Sequence, residues 1–130
     1  MIKDLINGHK SQSAKMQKLY NGYRGEVPIL NREVADYQKC NNKIANDYRS
    51  DIIDTIVGYL YGKPLTYQID SANYSETENK IYNDILYNFN LTNNIDDLDS
   101  ETGKIASICG YAARLQYIDK NGTERVMTVN

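Results

Sequence analysis

The chain has 130 residues and a formal net charge of −2, with 12 tyrosines, one phenylalanine and no tryptophan. That length fits one modest domain, which removes roughly two-thirds of its unfolded surface from water. Apolar residues make up 41% and charged residues 25%, which excludes a disordered polyelectrolyte and a nucleic-acid coat held by bulk charge.

The first residues, Met1 to Asn7, lack the apolar stretch of a signal peptide, and no later run approaches the ~20 residues of a membrane span. A cytoplasmic chain is therefore expected. From Lys10 to Tyr23 the spacing of Ala14, Met16, Leu19, Tyr20 and Tyr23 predicts a helix. Gly22 and Gly25 break it, and Val27-Pro28-Ile29-Leu30 reads as extended, since a proline pushes the residue before it away from helical geometry. Asn31 to Cys40 is ambiguous: Val34 and Tyr37 fit a short helix or an irregular connection.

A long amphipathic helix is predicted from Asn42 to Tyr61. Ile44, Tyr48, Ile52, Ile56 and Leu60 recur every four residues, Ile53 and Val57 widen the stripe, and Asp47, Asp51 and Asp54 lie off it. Gly62 stops that helix and Pro64 prevents its continuation. Gly58 inside it costs about 1 kcal/mol relative to alanine, which suggests close approach of another backbone, from this chain or a neighbour. Leu65-Thr66-Tyr67-Gln68-Ile69 alternates as a half-buried strand does.

Ser75-Glu76-Thr77-Glu78 has the form of a capping box and opens a helix to about Asn90, with Ile81, Ile85 and Phe89 in register beside Tyr82 and Leu86. A further helix is predicted from Asp97 or Asp99 to Gly110, with Leu98, Thr102, Ile105 and Cys109 on one face. Tyr111 to Ile118 and Thr123 to Val129 form a β-hairpin, with Asn121-Gly122 as its tight turn. The chain stops at Asn130 inside that strand pattern, so a truncation is expected. The fold class is α+β: several amphipathic helices, a short strand and a C-terminal β-hairpin.

Charge is segregated along the chain. Residues 1–24 carry five Lys/Arg against Asp4, and residues 70–101 carry eight acids against Lys80. Solvated helix faces explain this, and so do complementary surfaces meeting between subunits.

A search for chemistry yields no catalytic, cofactor or metal site. His9 is the single histidine and has no cysteine or carboxylate cluster near it in sequence. Asp96, Asp97, Asp99 and Glu101 are the densest carboxylates, but they favour the positive end of a helix and lack the order of a calcium loop. Gly58, Gly62 and Lys63 superficially resemble a phosphate loop. Such a loop needs glycines after a strand and a lysine opening a helix, whereas here the glycines end a helix and Pro64 follows. Cys40 and Cys109 fit no metal spacing and are expected to be reduced.

One ordered set of residues is more specific. Asn41-Asn42-Lys43-Ile44, Asn46-Asp47-Tyr48, Ile53-Asp54, Gly58-Tyr59 and Gly62-Lys63-Pro64-Leu65-Thr66-Tyr67 follow in sequence. Lys15 to Gly25 precedes them, and Ala106 to Ala112 and Tyr117 to Gly122 follow. Together they resemble the portal proteins of tailed phages of Gram-positive bacteria. In that family's pattern Asn41, Asn42, Asn46, Gly58, Gly62, Lys63 and Pro64 are structural motif residues, and no cofactor is implied.

The resemblance implies a structural subunit, not an enzyme. Such subunits form a homo-oligomeric, dodecameric ring at the capsid vertex of the virion, a head–tail connector for DNA packaging and genome ejection. Double-stranded DNA passes through the full-length ring, and no membrane is involved. Implied partners are the terminase large subunit, scaffold, major capsid and connector proteins, in the host bacterial cytoplasm during assembly. Residues 1–130 would be an N-terminal wing-region segment without stem, clip or crown, in a prophage or phage setting. Lys15 and Lys18 are expected at subunit contacts. The alternatives are a small cytoplasmic helical protein-binding module or a prophage remnant without channel function, and a metal-dependent enzyme using Asp97, Asp99 and Glu101.

Overall fold

A computed structural model describes residues 2–34, 40–46 and 48–129. Helix α1 (Ile2–Tyr23) is followed by a 3₁₀ turn (Pro28–Asn31), α2 (Tyr48–Tyr61), a second 3₁₀ turn (Ser71–Asn73), α3 (Glu76–Asn93), α4 (Ile95–Cys109) and strands β1 (Ala113–Ile118) and β2 (Glu124–Val129). The fold is α+β with a C-terminal hairpin, as expected. Helix α4 is its centre: α1, α2, α3 and β2 all pack against it.

Several boundaries differ from the expectation. Helix α1 starts at Ile2 rather than Lys10, because helix propagation needs no apolar stripe where no proline intervenes. Pro28 opens a 3₁₀ turn instead of an extended run, since its fixed φ suits a first helical position. Val27 before it is extended (φ −114°, ψ 142°), as the proline requires. Val34 is irregular, and Tyr37 lies outside the described residues.

Helix α2 starts at Tyr48, not Asn42. Asn41, Asn42 and Asn46 fall in irregular chain, and asparagine side chains compete with the helix for backbone hydrogen bonds. Asp47 lies outside the described residues. The inward face of α2 is also rotated from the predicted one. Val57 is buried and Ile53 and Tyr61 are half-buried, whereas Ile52, Ile56 and Leu60 face outward. Leu65 to Ile69 joins no strand: among the described residues the sheet contains β1 and β2 alone. A side-chain hydrogen bond from Tyr67 to α4 ties this segment down in place of a backbone ladder.

Helix α3 begins with the expected capping box. Glu78 N donates to Ser75 Oγ at 3.4 Å and Ser75 N donates to Glu78 Oε2 at 2.9 Å. It runs three residues past Asn90, to Asn93, before Asn94 turns the chain into α4 with a left-handed φ of 50°. Helix α4 ends at Gly110, whose φ of 87° makes it the natural cap.

In the hairpin Ile118 pairs with Glu124 and Ala113 with Val129. The connection is wider than a two-residue Asn-Gly turn. Asp119 N donates to Thr123 O at 2.9 Å and Gly122 N to Asp119 O at 3.0 Å, with Gly122 at φ 79°. This is a three-residue loop closed by a left-handed glycine. The Asp119 carboxylate sets it by accepting from the amides of Asn121 (2.8 Å) and Thr123 (3.0 Å), a competitor that Asn-Gly alone does not reveal.

The interior is small. Among the described residues the buried apolar ones are Val57, Ile95, Ile105, Ile108 and Cys109, and the accessible surface is 10606 Å². A compact monomer of 14.9 kDa exposes about 7000 Å². Large apolar side chains remain in water on the helices around α4 and also on the hairpin, at Leu115, Ile118 and Met127.

Candidate assembly interface

The residues that position the outer surfaces meet at a polar hub on α4. Asp99 is 5% exposed. It accepts from Arg114 Nη2 of β1 at 2.6 Å and from the Tyr67 hydroxyl at 2.5 Å. Arg114 Nε also donates to Thr102 Oγ1 at 2.7 Å, and that oxygen lies 3.2 Å from the Thr128 hydroxyl of β2. One carboxylate thus joins the 62–70 segment, α4 and the hairpin. Because the Tyr67 hydroxyl donates to the Asp99 carboxylate, ionising that phenol would lose this bond and set two negative charges together, and its pKa is raised.

This geometry separates the predicted carboxylate cluster. Asp99 points inward to Arg114, while Asp96, Asp97 and Glu101 are exposed. Asn94 Nδ2 donates to Asp97 at the turn between α3 and α4. Among the described residues no group of three His, Cys, Asp or Glu side chains is placed to hold a metal ion.

A second buried polar residue, Asn93, closes the sheet edge. Its Nδ2 donates to Glu124 O at 3.2 Å and to Phe89 O at 3.0 Å, and its Oδ1 accepts from Val126 N at 3.1 Å. Glu124 and Val126 present these groups on the side of β2 away from β1, so one amide satisfies a stretch of strand edge that would otherwise invite another strand.

On the other side of α4, a surface network ties three helices. The Tyr23 hydroxyl of α1 donates to Asp54 Oδ1 of α2 at 2.8 Å. Lys104 Nζ of α4 is 3.2 Å from the same oxygen and 4.9 Å from the centre of the Tyr23 ring. The Tyr23 hydrogen bond, helped by Lys104, holds the Asp54 carboxyl below its ordinary range.

Beside this network runs an open groove of about 600 Å³ between α1 and α2. Leu19, Ile52 and Ile53 give it an apolar lining, and Lys15, Lys18 and Arg49 stand along it. The structure therefore brings Lys15 and Lys18 together with apolar surface, a juxtaposition that charge counting alone did not reveal.

The other motif residues have local settings. Arg32 Nη2 lies 3.5 Å from Asn41 Oδ1, Asn46 Nδ2 lies 3.4 Å from the Tyr48 hydroxyl, and Asn42 is exposed. A Cβ on Gly62 would collide with the Gly58 carbonyl oxygen, so the chain can leave α2 in this way only at glycine. Gly58 itself faces open space, so among the described residues no close backbone approach to it is found. The close approach falls instead at Gly103, where a Cβ would enter the Tyr61 ring. Lys63 and Pro64 line a cleft of about 200 Å³ against Asp96 and Asp97 of α4. His9 is exposed; Cys40 and Cys109 are both free thiols, the first exposed and the second buried.

Two helices also present outward apolar faces. On α2, Tyr59 is 89% exposed, and Ile52, Ile56 and Leu60 are also open to solvent. On α3, Ile81, Ile85, Tyr87 and Leu91 are exposed, while Leu86, Phe89 and Asn93 turn inward. Exposed apolar surface on this scale marks interaction sites. No helix among the described residues is long and apolar enough to cross a membrane. A family model described as phage portal protein, SPP1 Gp6-like, matches residues 2–130. No curated protein matches the chain.

Proposed function

We propose, from the premise that this chain belongs to the SPP1 Gp6-like phage portal protein family, that it is the N-terminal wing segment of a ring-forming portal subunit. A portal role at the capsid vertex follows from the family. The finer reading is that residues 1–130 form one wing-region unit of a homo-oligomeric head–tail connector. In that assembly the complete ring nucleates the head, meets terminase, scaffold, capsid and connector proteins, and passes double-stranded DNA inward on packaging and outward on ejection. Its role is structural, and its cargo touches parts of the subunit other than this one.

The observation that carries this reading is the chain-wide family match. The apolar faces of α2 and α3 support it, because a subunit-packing unit has to leave such faces for neighbours. Asn41, Asn42, Asn46, Gly58, Gly62, Lys63 and Pro64 then serve as shape-determining residues of the wing. Gly62 is the clearest, since a side chain there would meet the Gly58 carbonyl.

The test is to express the reading frame containing this chain to its own stop codon and image the purified product by electron microscopy. Closed rings with an axial hole are expected. A product that stays monomeric at micromolar concentration overturns the ring-forming role.

A further inference from the structure

Two surfaces of this chain are complementary in shape class and in charge. The first is the α1–α2 groove, lined by Leu19 and Ile52 with Lys15, Lys18 and Arg49 along it. The second is the outer face of α3. There Ile81 and Ile85, 53% and 60% exposed, lie one turn apart. At about 100° per residue, Glu78 falls roughly 40° to one side of the Ile81–Ile85 line and Asp84 roughly 80° to the other. An apolar ridge with acidic flanks thus stands on one part of the molecule, and an apolar groove with basic flanks on another.

We infer that the α1–α2 groove of one copy receives the α3 helix of a second copy. Ile81 and Ile85 fill the groove against Leu19 and Ile52, and Glu78 and Asp84 face Lys15, Lys18 and Arg49. The inference rests on reading the chain as a ring subunit, and it adds which faces meet. Groove and ridge are different surfaces, so the contact is head-to-tail. A joined pair still offers one free groove at one end and one free ridge at the other, which is the arrangement that closes into rings. Interspersed opposite charges at the rim set the register and steer encounter, while the isoleucines supply the desolvated centre. Glu78 suits this role because its bonds from the Ser75 hydroxyl and backbone amide hold its carboxyl below the ordinary range and so keep it charged.

The test uses the 130-residue chain with Cys40→Ser, which removes the exposed native thiol. Leu19→Cys and Ile85→Cys are made in separate preparations and oxidised mildly, alone and mixed. A head-to-tail contact gives the mixed 19–85 disulfide and little of either symmetric product. In sedimentation at low salt, Lys18→Glu and Asp84→Lys are each expected to weaken association about tenfold, and the two together in one chain to restore it.

Symmetric 19–19 or 85–85 products in equal yield overturn the inference, as does association that ignores both charge reversals. A chain that remains monomeric at about 100 μM and yields no disulfide overturns it too. The ring reading is judged separately, by microscopy of the complete frame. Rings that persist there with Lys18→Glu or Asp84→Lys sink the groove contact and leave the ring role standing.

Discussion

Two regions of this molecule depart from the usual relation between hydropathy and burial. At the α4 hub polar side chains are buried beside the apolar ones: Asp99 and Asn93 are as buried as Ile95 or Cys109 and hold the hairpin and the 62–70 segment in place. On α2 and α3 the regular isoleucine spacing faces water, at Ile52, Ile56, Ile81 and Ile85. On the proposed reading, the apolar periodicity of α2 and α3 is what a neighbouring subunit would cover, while satisfied polar groups tie the hairpin and the 62–70 segment to α4.

The largest expected effect breaks the hub. Asp99→Ala leaves Arg114 without its carboxylate and the Tyr67 hydroxyl without an acceptor, at a cost of about 3 kcal/mol. Asp97→Ala, on the exposed first turn of α4, is the control and is expected to cost less than about 1 kcal/mol. Urea unfolding of both variants checks the contrast, and equal midpoints would remove Asp99 from its central place. Asn93→Ala follows at about 2 kcal/mol, because Glu124 O and Val126 N lose their partner at a half-buried edge. Faster hydrogen exchange at the Val126 amide, with Leu115 and Tyr117 less affected, is the local signature.

The contrast also explains what could be read from sequence. The capping box at Ser75, the stop at Gly110 and the existence of the hairpin depend on neighbours within a few residues, and each was legible. The start of α2 was not, because the asparagines at 41, 42 and 46 fit the helical spacing but favour other backbone bonds. The inward face of α2 was ambiguous because apolar residues sit at both 52–53 and 56–57, so the pattern fits either rotation. Asp99 read as a helix-end charge because its partners, Arg114 and Tyr67, lie 15 and 32 residues away. Lys15 and Lys18 were legible as charges, and the apolar groove beside them appears only once α1 meets α2.

Glycine offers a smaller and cleaner comparison. Gly58 is on the outward side of α2 with nothing near its missing side chain, so Gly58→Ala is expected to raise chain stability by about 1 kcal/mol. Gly103 lies at the α2–α4 crossing against Tyr61, and Gly103→Ala is expected to destabilise by about 1–2 kcal/mol. Thermal melts of the two variants should move in opposite directions. A Gly58→Ala chain that is stabilised yet fails to assemble in the complete ring would place a neighbour's backbone at that position.

Acid gives the smallest effect and separates the two regions by local readout. The Asp119 carboxyl is held below its ordinary range chiefly by the Thr123 amide, with the Asn121 amide and Arg125 adding to it. Glu78 is lowered by the Ser75 hydroxyl and amide. Both groups have folded pKa values below their unfolded ones, so their contributions are present above the unfolded values and are lost as pH falls through the folded ones. Stability should therefore be level from neutral pH down to about 5 and decline below it. Asp119 has two backbone donors and an arginine, whereas Glu78 is held by Ser75 alone. Acid titration followed by amide resonances should report both losses, at the first turn of α3 and at Asn121 and Thr123 in the hairpin. In an Asp119→Asn chain the hairpin loss should disappear while the α3 loss remains. If both disappeared together, the hub and the outer helix would be one cooperative unit, and the division between an internally fixed region and a partner-facing one would fail.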